Sequence, residues 1–527
     1  MQEDYRMSGK KVLTIVDFVR AEDWRMDAEK LFQTYVNHLE LNRQYGFPSS
    51  CLMQYDALAN PRYVAALDEY PDENREIGVW IEMAREQIEK VGLPWMGRPE
   101  YNWDWHTNPD MLMAYTQEQR KLLIDELMNR FHGTFGYYPS TAGSWLLDSF
   151  SMEYMAEKYG VDAFLVCKEQ YGTDGYTLWG GYYNQGYYPS RKNMLMPGQT
   201  LGGQIPSPVF RMLGCDPIYQ YANGQDSRYN PHQQHVVSLE PSYPEAGGSE
   251  TWVNWFLKTN FDAESMGFAF TQAGQENSFL WEEDGVGTAI TMQYQQFKTW
   301  VDQGKLEIQT AGDLGRWFKK TYQLTPATAI TALEDWKGQG NQSVWYNSRW
   351  YRANWVTTEG EVCIRDIHLF NENYQERYWD ATESSPRAVY DTLPVVDGFL
   401  WSGDGIRATW NLTQPGAVNP AKGLIRDSQN EGSGTLRLTL EADGSEVICR
   451  CCEEYMELRF PEKEFDLLLS WHTMRETRCV GVEENRVRFE HNGAVYSMTV
   501  TGGHFVAGEK TLRLAAVDDT MMICFDR

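Results

Sequence analysis

Short apolar runs alternate with amphipathic helical patterns along the chain, up to about residue 325. The predicted strands are 11–18, 50–54, 76–82, a short run ending near 143, 163–166, 208–215, 267–271 and 306–310. The predicted helices are 28–41, 61–69, 116–131 with Thr116 as its N-cap, 152–159, 250–259, 292–303 and 311–322. This order predicts an α/β fold with a mainly parallel sheet. A closed (β/α)7–8 barrel is favoured over an open doubly wound sheet, because no glycine-rich phosphate loop follows a strand.

From about residue 343 the pattern changes to short strands joined by turn sequences such as Asn492-Gly493. The strands predicted here are 349–357, 361–367, 405–411, 434–441, 445–451, 455–461, 466–472, 486–492, 494–501, 510–515 and 520–525. They indicate a β-sandwich. We therefore predict a catalytic barrel domain over residues 1–330 and one or two β-rich domains over 331–527.

The formal net charge of −27 argues against nucleic acid and anionic membranes as partners. The nine cysteines show neither zinc nor disulfide spacing. The His232-Gln233-Gln234-His235 segment lacks the spacing of a zinc protease. The chain shows no signal peptide and no apolar run near 18 residues. We expect a cytoplasmic protein without metal or cofactor, and self-association stays open.

Aromatic residues are abundant, with 20 tryptophans and 31 tyrosines. Such side chains fill cores, but they also line carbohydrate clefts, where a ring stacks on a sugar. The loops after the predicted third and fifth strands carry Trp103, Trp105, His106 and Tyr171. At a barrel mouth these residues would surround the substrate, although His106 would serve equally well as a cap of its own loop.

Carboxylates occur within a few residues of each strand end, at Asp17, Asp56, Glu82, Asp148, Glu169, Asp216 and Glu276. Each is also explained as a helix N-cap or a solvated charge. Because the carboxyl ends of barrel strands converge, the set predicts an acidic mouth. Side chains alternate along a strand, so Trp80 and Glu82 should point the same way. Two carboxylates are what cleavage of a glycosidic bond requires.

The segment Gly143-Ser144-Trp145-Leu146-Leu147-Asp148 resembles the Trp-Leu-x-Glu motif of glycoside hydrolase family 57, within the glycoside hydrolase/deacetylase barrel superfamily. The acid here is Asp148, the residue type that family 38 uses. The resemblance implies that Asp148 is the nucleophile and that Glu276, after the seventh strand, is the general acid. Asp17 resembles a metal-binding aspartate of the deacetylases, but Trp80 stands where they have a histidine.

We therefore predict a glycoside hydrolase acting on an oligosaccharide or glycoconjugate through Asp148 and Glu276. The predicted substrate contacts are Asp17, Trp80, Glu82, Trp103, Trp105, His106, Trp145, Tyr171, Arg211 and Gln275. One alternative is a carbohydrate deacetylase or esterase with an unfamiliar metal site. The other is a non-catalytic glycan-binding protein with the same fold.

Overall fold

The computed structural model of this chain describes residues 9–221, 237–263 and 266–526. Its first part is an α/β barrel. The strands of this part are β1 Lys10–Val19, β2 Ser49–Met53, β3 Arg75–Trp80, β4 Thr141–Gly143, β5 Ala163–Val166, β6 Gln170–Thr173, β7 Tyr176–Leu178, β8 Gly186–Tyr187, β9 Val209–Arg211, β10 Phe268–Ala273 and β11 Glu307–Ile308.

The helices cover the outside of these strands. They are α1 Ala28–Tyr45, α2 Tyr55–Ala59, α3 Pro61–Glu69, α4 Arg85–Lys90, α5 Thr107–Asp110, α6 Gln117–Phe135, α7 Ser149–Tyr159, α8 Glu250–Leu257, α9 Val286–Asp302 and α10 Ala311–Thr321, with a 3-10 turn at Leu112–Ala114 and a π-helical turn at Lys258–Asp262. The predicted N-cap Thr116 is confirmed, because its hydroxyl accepts from Gln119 N and the Gln119 side chain accepts from Thr116 N.

Seven parallel strands lie side by side in the order β10, β1, β2, β3, β4, β5 and β9, and β8 adds an antiparallel strand beyond β9. The eight strands form a nearly closed barrel. Most of β1 is buried on both faces, which explains why its sequence is a nearly continuous apolar run. The predicted α/β barrel is confirmed.

The loop after the predicted fifth strand, which carries Tyr171, contains the β6–β7 hairpin in the structure. Asp174 and Gly175 form its tip, and both have a positive φ, as a tight hairpin turn requires. Strand β7 also pairs in parallel with a strand of the C-terminal region, Ala388–Tyr390. The hairpin therefore joins the barrel to that region.

The C-terminal region consists of antiparallel sheets that form a sandwich-like unit, as predicted. Its strands are β12 Thr328–Ala332, β13 Gln342–Asn347, β14 Tyr351–Thr358, β15 Glu361–Leu369, β16 Ala388–Tyr390, β17 Leu393–Asp397, β18 Trp410–Thr413, β19 Gly423–Gly432, β20 Thr435–Ala442, β21 Ser445–Cys451, β22 Tyr455–Arg459, β23 Asp466–Ser470, β24 Thr477–Val482, β25 Arg486–His491, β26 Ala494–Thr501, β27 Gly503–Ala507, β28 Thr511–Ala516 and β29 Thr520–Asp526. One sheet runs from β12 to β27 through β14, β15, β23 and β28, and the other runs from β19 to β24 through β22 and β29.

Two boundaries differ from the prediction. The domain limit at residue 330 falls inside β12, which already belongs to the C-terminal sheet. The strand predicted at 405–411 is mostly loop, since only Trp410–Thr413 pairs, against β15 and β23. Among the residues that the structure describes, we find no helix with the length and apolar character needed to cross a bilayer.

Candidate active site

The carboxyl ends of β1, β3 and β10 bring one buried arginine and two glutamates together at the barrel mouth. Arg20 directly follows β1, Glu82 follows β3, and Glu276 follows β10. Arg20 Nη2 lies 2.9 Å from Glu82 Oε2 and 2.8 Å from Glu276 Oε2. Because both oxygens contact the same nitrogen, they lie at most about 6 Å apart.

Arg20 is fixed on its backbone and on its guanidinium. Asn277 accepts from the backbone N–H of Arg20 at 3.0 Å and donates to its carbonyl at 2.9 Å. The guanidinium carbon lies 4.2 Å from the centre of the Trp103 ring. Burial lowers the pKa of Arg20, but Glu82, Glu276 and Asp23 raise it further, so the side chain stays charged.

The two glutamates differ in exposure. Burial raises the pKa of Glu82. Arg20 and the indole N–H groups of Trp80 and Trp145 lower this pKa, whereas the charge of Glu276 raises it further. Only 2% of the Glu82 side chain is accessible, compared with 12% for Glu276. The site therefore pairs a buried carboxyl that favours its proton with a carboxylate nearer to the solvent.

Aromatic rings form the wall around Glu82. Trp80 packs against Phe18 and Trp145, with ring centres 4.4 and 5.0 Å apart. A Cβ atom at position 143 would lie 3.0 Å from the Trp80 ring, so Gly143 leaves room for it. Trp80 and Glu82 therefore lie on one side of the barrel, as strand alternation predicted, and Trp145 packs beside Trp80.

A third carboxyl lies beneath this wall. The Trp103 indole N–H donates to Asp110 Oδ1 at 3.0 Å, and Asp110 is fully buried. Burial and the nearby charge of Glu82 raise the pKa of Asp110 well above its ordinary value. Asp110 therefore holds the Trp103 ring, on which Arg20 rests, without adding a full negative charge.

Aromatic rings also line the outer rim of the mouth. Trp24 stacks on Tyr101 at 4.6 Å and on Trp105 at 5.2 Å, with planes 21° apart in both pairs. The Arg98 guanidinium lies 4.2 Å from the Trp105 ring. Trp24 remains 46% exposed, so the rim presents an aromatic surface to solvent.

A second group of charges lies near Glu276. Lys168, two residues after β5, is buried, and its Nζ lies 4.0 Å from Glu240 Oε2. Burial raises the pKa of Glu240, and Lys168 opposes this rise. The mouth therefore carries charges of both signs.

Asp17 was predicted to contact the substrate, but in the structure its carboxylate is directed toward α1. Its carboxylate accepts from Asn42 Nδ2 at 2.6 Å and lies 3.1 Å from His38 Nδ1, and both partners belong to α1. Phe18 points into the barrel, so its neighbour Asp17 points outward, toward the helices. Arg20, two residues beyond Phe18, takes the inward position.

Asp148 also lies away from Arg20. It is the N-cap of α7, where Oδ1 accepts from Ser151 N and from Arg120 Nη1, both at 2.9 Å, and Oδ2 accepts from the Ser151 hydroxyl. Asp148 is fully buried, and the contacts of the described residues place it near Glu376 rather than Glu276. Its role as a nucleophile stays a prediction that these surroundings do not favour.

Arg211 and Gln275 are buried and bonded to the protein. Arg211 donates to the carbonyls of Cys167 and Tyr182 at 2.7 and 3.2 Å. Gln275 donates to the Ser242 hydroxyl at 3.0 Å. Both side chains support the loops of the mouth, which differs from the substrate contact predicted for them.

His106 lies at the aromatic rim, and Tyr171 lies on the β6–β7 hairpin. His106 Nδ1 is 2.7 Å from Asp104 Oδ1 at the aromatic rim, so the predicted cap of its own loop accounts for this contact. Tyr171, on β6, lies against the C-terminal region, with its ring centre 5.5 Å from that of Phe399. The substrate contact predicted for Tyr171 stays a prediction.

The expected ring of seven carboxylates does not form as one cluster. Asp56 accepts from Ala21 N and Glu22 N, Glu169 pairs with Arg352, and Asp216 accepts from two indole N–H groups. Most of these acids therefore stabilise loops or the interface between the barrel and the C-terminal sheet. Glu82 and Glu276 are the two that share a partner at the mouth.

Sequence reasoning missed Arg20, Asp110, Lys168 and Glu240. Counting in steps of two from the inward-facing residues of β1 would have selected Arg20 instead of Asp17. Nothing local signals Asp110, Lys168 or Glu240, because their surroundings depend on loops distant in sequence. A hydrogen bond between residues more than 250 positions apart, such as Arg20 and Asn277, leaves no periodic pattern in the sequence.

One group of described side chains meets the distances for a metal, Asp391, Glu476 and His491 in the C-terminal region. The Arg377 guanidinium already pairs with Asp391 and Glu476 there, so an arginine supplies the positive charge that a metal ion would bring. The His232–His235 segment considered above lies outside the described residues.

No family model and no curated protein matches this chain. Among solved structures, a protein from Parabacteroides distasonis named as a glycoside hydrolase/deacetylase is similar over 73% of this chain and 91% of its own, with 14% identity and a TM-score of 0.55. A protein from Mycobacterium smegmatis named as a polysaccharide deacetylase covers 62% of this chain and 95% of its own, with 11% identity and a TM-score of 0.38. A GH57 branching enzyme from Thermococcus kodakaraensis covers 60% and 72%, with 12% identity and a TM-score of 0.30. At 14% identity, the likeness to the Parabacteroides distasonis protein concerns the fold.

Proposed function

We propose that this protein is a glycoside hydrolase that cleaves its substrate at the barrel mouth with Glu82 and Glu276. The observation that carries the proposal is the contact of both carboxylates with the same nitrogen of Arg20. Two carboxyl groups about 5–5.5 Å apart suit a retaining glycosidase, whereas about 6.5–9.5 Å suits an inverting one. The limit of about 6 Å set by Arg20 favours retention.

The environments of the two glutamates assign their roles. Glu82, buried and with a raised pKa, donates its proton to the glycosidic oxygen as that bond breaks. Glu276, nearer to the solvent, attacks the anomeric carbon and forms a glycosyl ester. The Glu82 carboxylate then takes a proton from water, which hydrolyses the ester and restores both groups.

Arg20 and the tryptophans support these steps. Arg20 contacts and orients both carboxylates, and its positive charge compensates the negative charge that they place at the mouth. Trp145, which is half-buried beside Trp80, offers a ring face to the sugar next to Glu82. The charges of Lys168 and Glu240 supply a donor and an acceptor for its hydroxyls.

A screen with aryl glycosides and neutral oligosaccharides tests the activity. We expect hydrolysis, and proton NMR of the first product should show the anomeric configuration of the substrate. Acetate release from acetylated oligosaccharides that stops with a chelator would instead identify a deacetylase. Binding of sugars without any turnover would identify a glycan-binding protein.

A further inference from the structure

A cavity opens between the β6–β7 hairpin and the loops of the C-terminal region. Its volume is about 420 Å³, within the range of cavities that hold small ligands. It is lined by two aromatic rings, Tyr171 and Phe399, by apolar and small residues, and by three charged side chains, Asp404, Arg407 and Arg475. The proposed hydrolysis uses none of these residues.

The aromatic part of this cavity is rigid. The Phe399 ring packs 4.7 Å from Trp179 and 5.5 Å from Tyr171. Asp397 accepts from the backbone N–H groups of Phe399 and Leu400, which fixes the loop at its base. A pyranose that stacks on these rings would therefore meet a preformed surface, and ordering the loop would cost little free energy.

The polar part offers both donors and acceptors. Arg475 Nη1 lies 3.3 Å from the Tyr171 hydroxyl, and Arg475 forms no ion pair with any residue that the structure describes. Arg407 pairs with Glu359, and Asp404 places a mostly exposed carboxylate at the same edge. Charges of both signs around aromatic rings suit the hydroxyl groups of a neutral sugar better than an anion.

The β6–β7 hairpin links this cavity to the mouth. Lys168 Nζ lies 4.0 Å from Glu240 at the mouth and donates to Gln170 Oε1 at 3.4 Å, and Tyr171 is the next residue along β6. Lys168 and Tyr171 are three residues apart in sequence, so their backbones lie at most roughly 11 Å apart. A short oligosaccharide would therefore reach from one site to the other.

We propose that the cavity of Tyr171, Phe399 and Arg475 binds a neutral pyranose unit of an oligosaccharide chain whose other end lies at the barrel mouth. Binding of the sugar in the cavity does not depend on the proposed function, whereas the link between this binding and cleavage rests on it. The substrate would then be a chain of several sugars rather than a single glycoside.

Calorimetry with the full chain tests the binding, using cellohexaose, maltohexaose, mannohexaose and xylohexaose as neutral probes and hexagalacturonate as the acidic one. The variants are Phe399→Ala and Arg475→Met. The matched control is Arg478→Met, which removes an exposed arginine that pairs with Glu490 outside the cavity. Thermal unfolding shows whether Phe399→Ala folds, and the exposed Arg475 gives a decisive variant if it does not.

We expect one neutral hexasaccharide to bind, with a dissociation constant about 10-fold higher in each cavity variant and unchanged in the control. The KM for that hexasaccharide should rise equally, while kcat/KM for an aryl monoglycoside stays constant. Equal binding by wild type and Arg475→Met, or binding of hexagalacturonate alone, would overturn the proposal. Weaker binding by the variants together with no hydrolysis by wild type would retain the cavity and reject the proposed activity.

Discussion

Two buried arginines of this protein collect carboxylates in different ways. Arg352, on β14, forms a two-pronged pair with Asp366, in which Nε and Nη2 each donate at 2.8 Å, while Nη1 binds Glu169. Arg20 instead offers one nitrogen to Glu82 and Glu276 together. The Arg352 cluster lies between barrel and sheet, and its carboxylates are almost inaccessible, whereas Glu276 reaches the solvent.

This difference separates a structural cluster from a candidate site. A forked arginine–carboxylate pair satisfies its own geometry and fixes two elements against each other. Two carboxylates that contact the same nitrogen repel each other. Their remaining hydrogen-bonding capacity stays free for a ligand. The charges of the two clusters alone would not distinguish them.

The largest expected effect is on catalysis at the Arg20 cluster. We expect Glu276→Gln to lower kcat/KM on the order of 10⁴-fold, because an amide cannot form the glycosyl ester. Steady-state kinetics measures this, and the urea midpoint should stay at the wild-type value. Glu100→Gln, an exposed change on the rim loop, is the matched control and should keep full activity. Wild-type rates in Glu276→Gln would remove this residue from the mechanism.

The next effect is on folding at the Arg352 cluster. Arg352→Met leaves Asp366 and Glu169 buried without their cation, so the free energy of unfolding should fall by about 3–5 kcal/mol. Arg349→Met, which breaks a more exposed pair with Glu453, should cost at most about 1 kcal/mol. Urea unfolding compares the two variants. Similar losses in both would show that the buried pair does not lock the interface.

Glu82→Gln should alter the dependence on pH and on the leaving group. In wild type the rate should fall as pH rises through the raised pKa of Glu82, because the acid must hold its proton. The variant should lose this alkaline limb, and kcat/KM should fall about 10²–10³-fold for substrates with poor leaving groups. Dinitrophenyl glycosides need no proton and should react at nearly the wild-type rate. An unchanged limb would contradict the role of Glu82 as acid.

A smaller effect is expected at Trp103, which links Arg20 to Asp110. Trp103→Phe keeps a ring under the guanidinium but removes the N–H that Asp110 accepts. The rate should fall about 10-fold through looser placement of Arg20. Kinetics at saturating substrate isolates this as a change in kcat. A change confined to KM would instead indicate direct contact between Trp103 and the sugar.

The last prediction concerns Glu376, which lies near Asp148. Burial and the charge of Asp148 raise the pKa of Glu376 to about 8. This value lies above that of an unfolded glutamate, so stability is full at low pH and falls as pH rises toward 8. The loss should be at most about 1.4 kcal/mol per pH unit. Urea unfolding from pH 5 to 9 should show a flatter profile for Glu376→Gln than for wild type, and parallel profiles would refute the coupling.

The barrel was predictable because each strand and helix carries its own periodic pattern, and strand ends then follow from topology. The grouping of Trp80, Glu82 and Trp145 followed from alternation along β3 and from their place at the barrel mouth. Asp17 was misplaced because the nearest acid was chosen without counting which face it occupies. Asp148 was favoured by a motif, although its local pattern, an acid before a helix, equally describes an N-cap.

Labelling by a 2-deoxy-2-fluoro glycosyl fluoride of the sugar that the screen identifies tests the central claim most directly. Fluorine slows hydrolysis of the glycosyl ester, so mass spectrometry of the digested protein locates the nucleophile. The account predicts one added sugar on the peptide that carries Glu276. A label on the peptide that carries Asp148, or a hydrolase that never acquires a label, would contradict it.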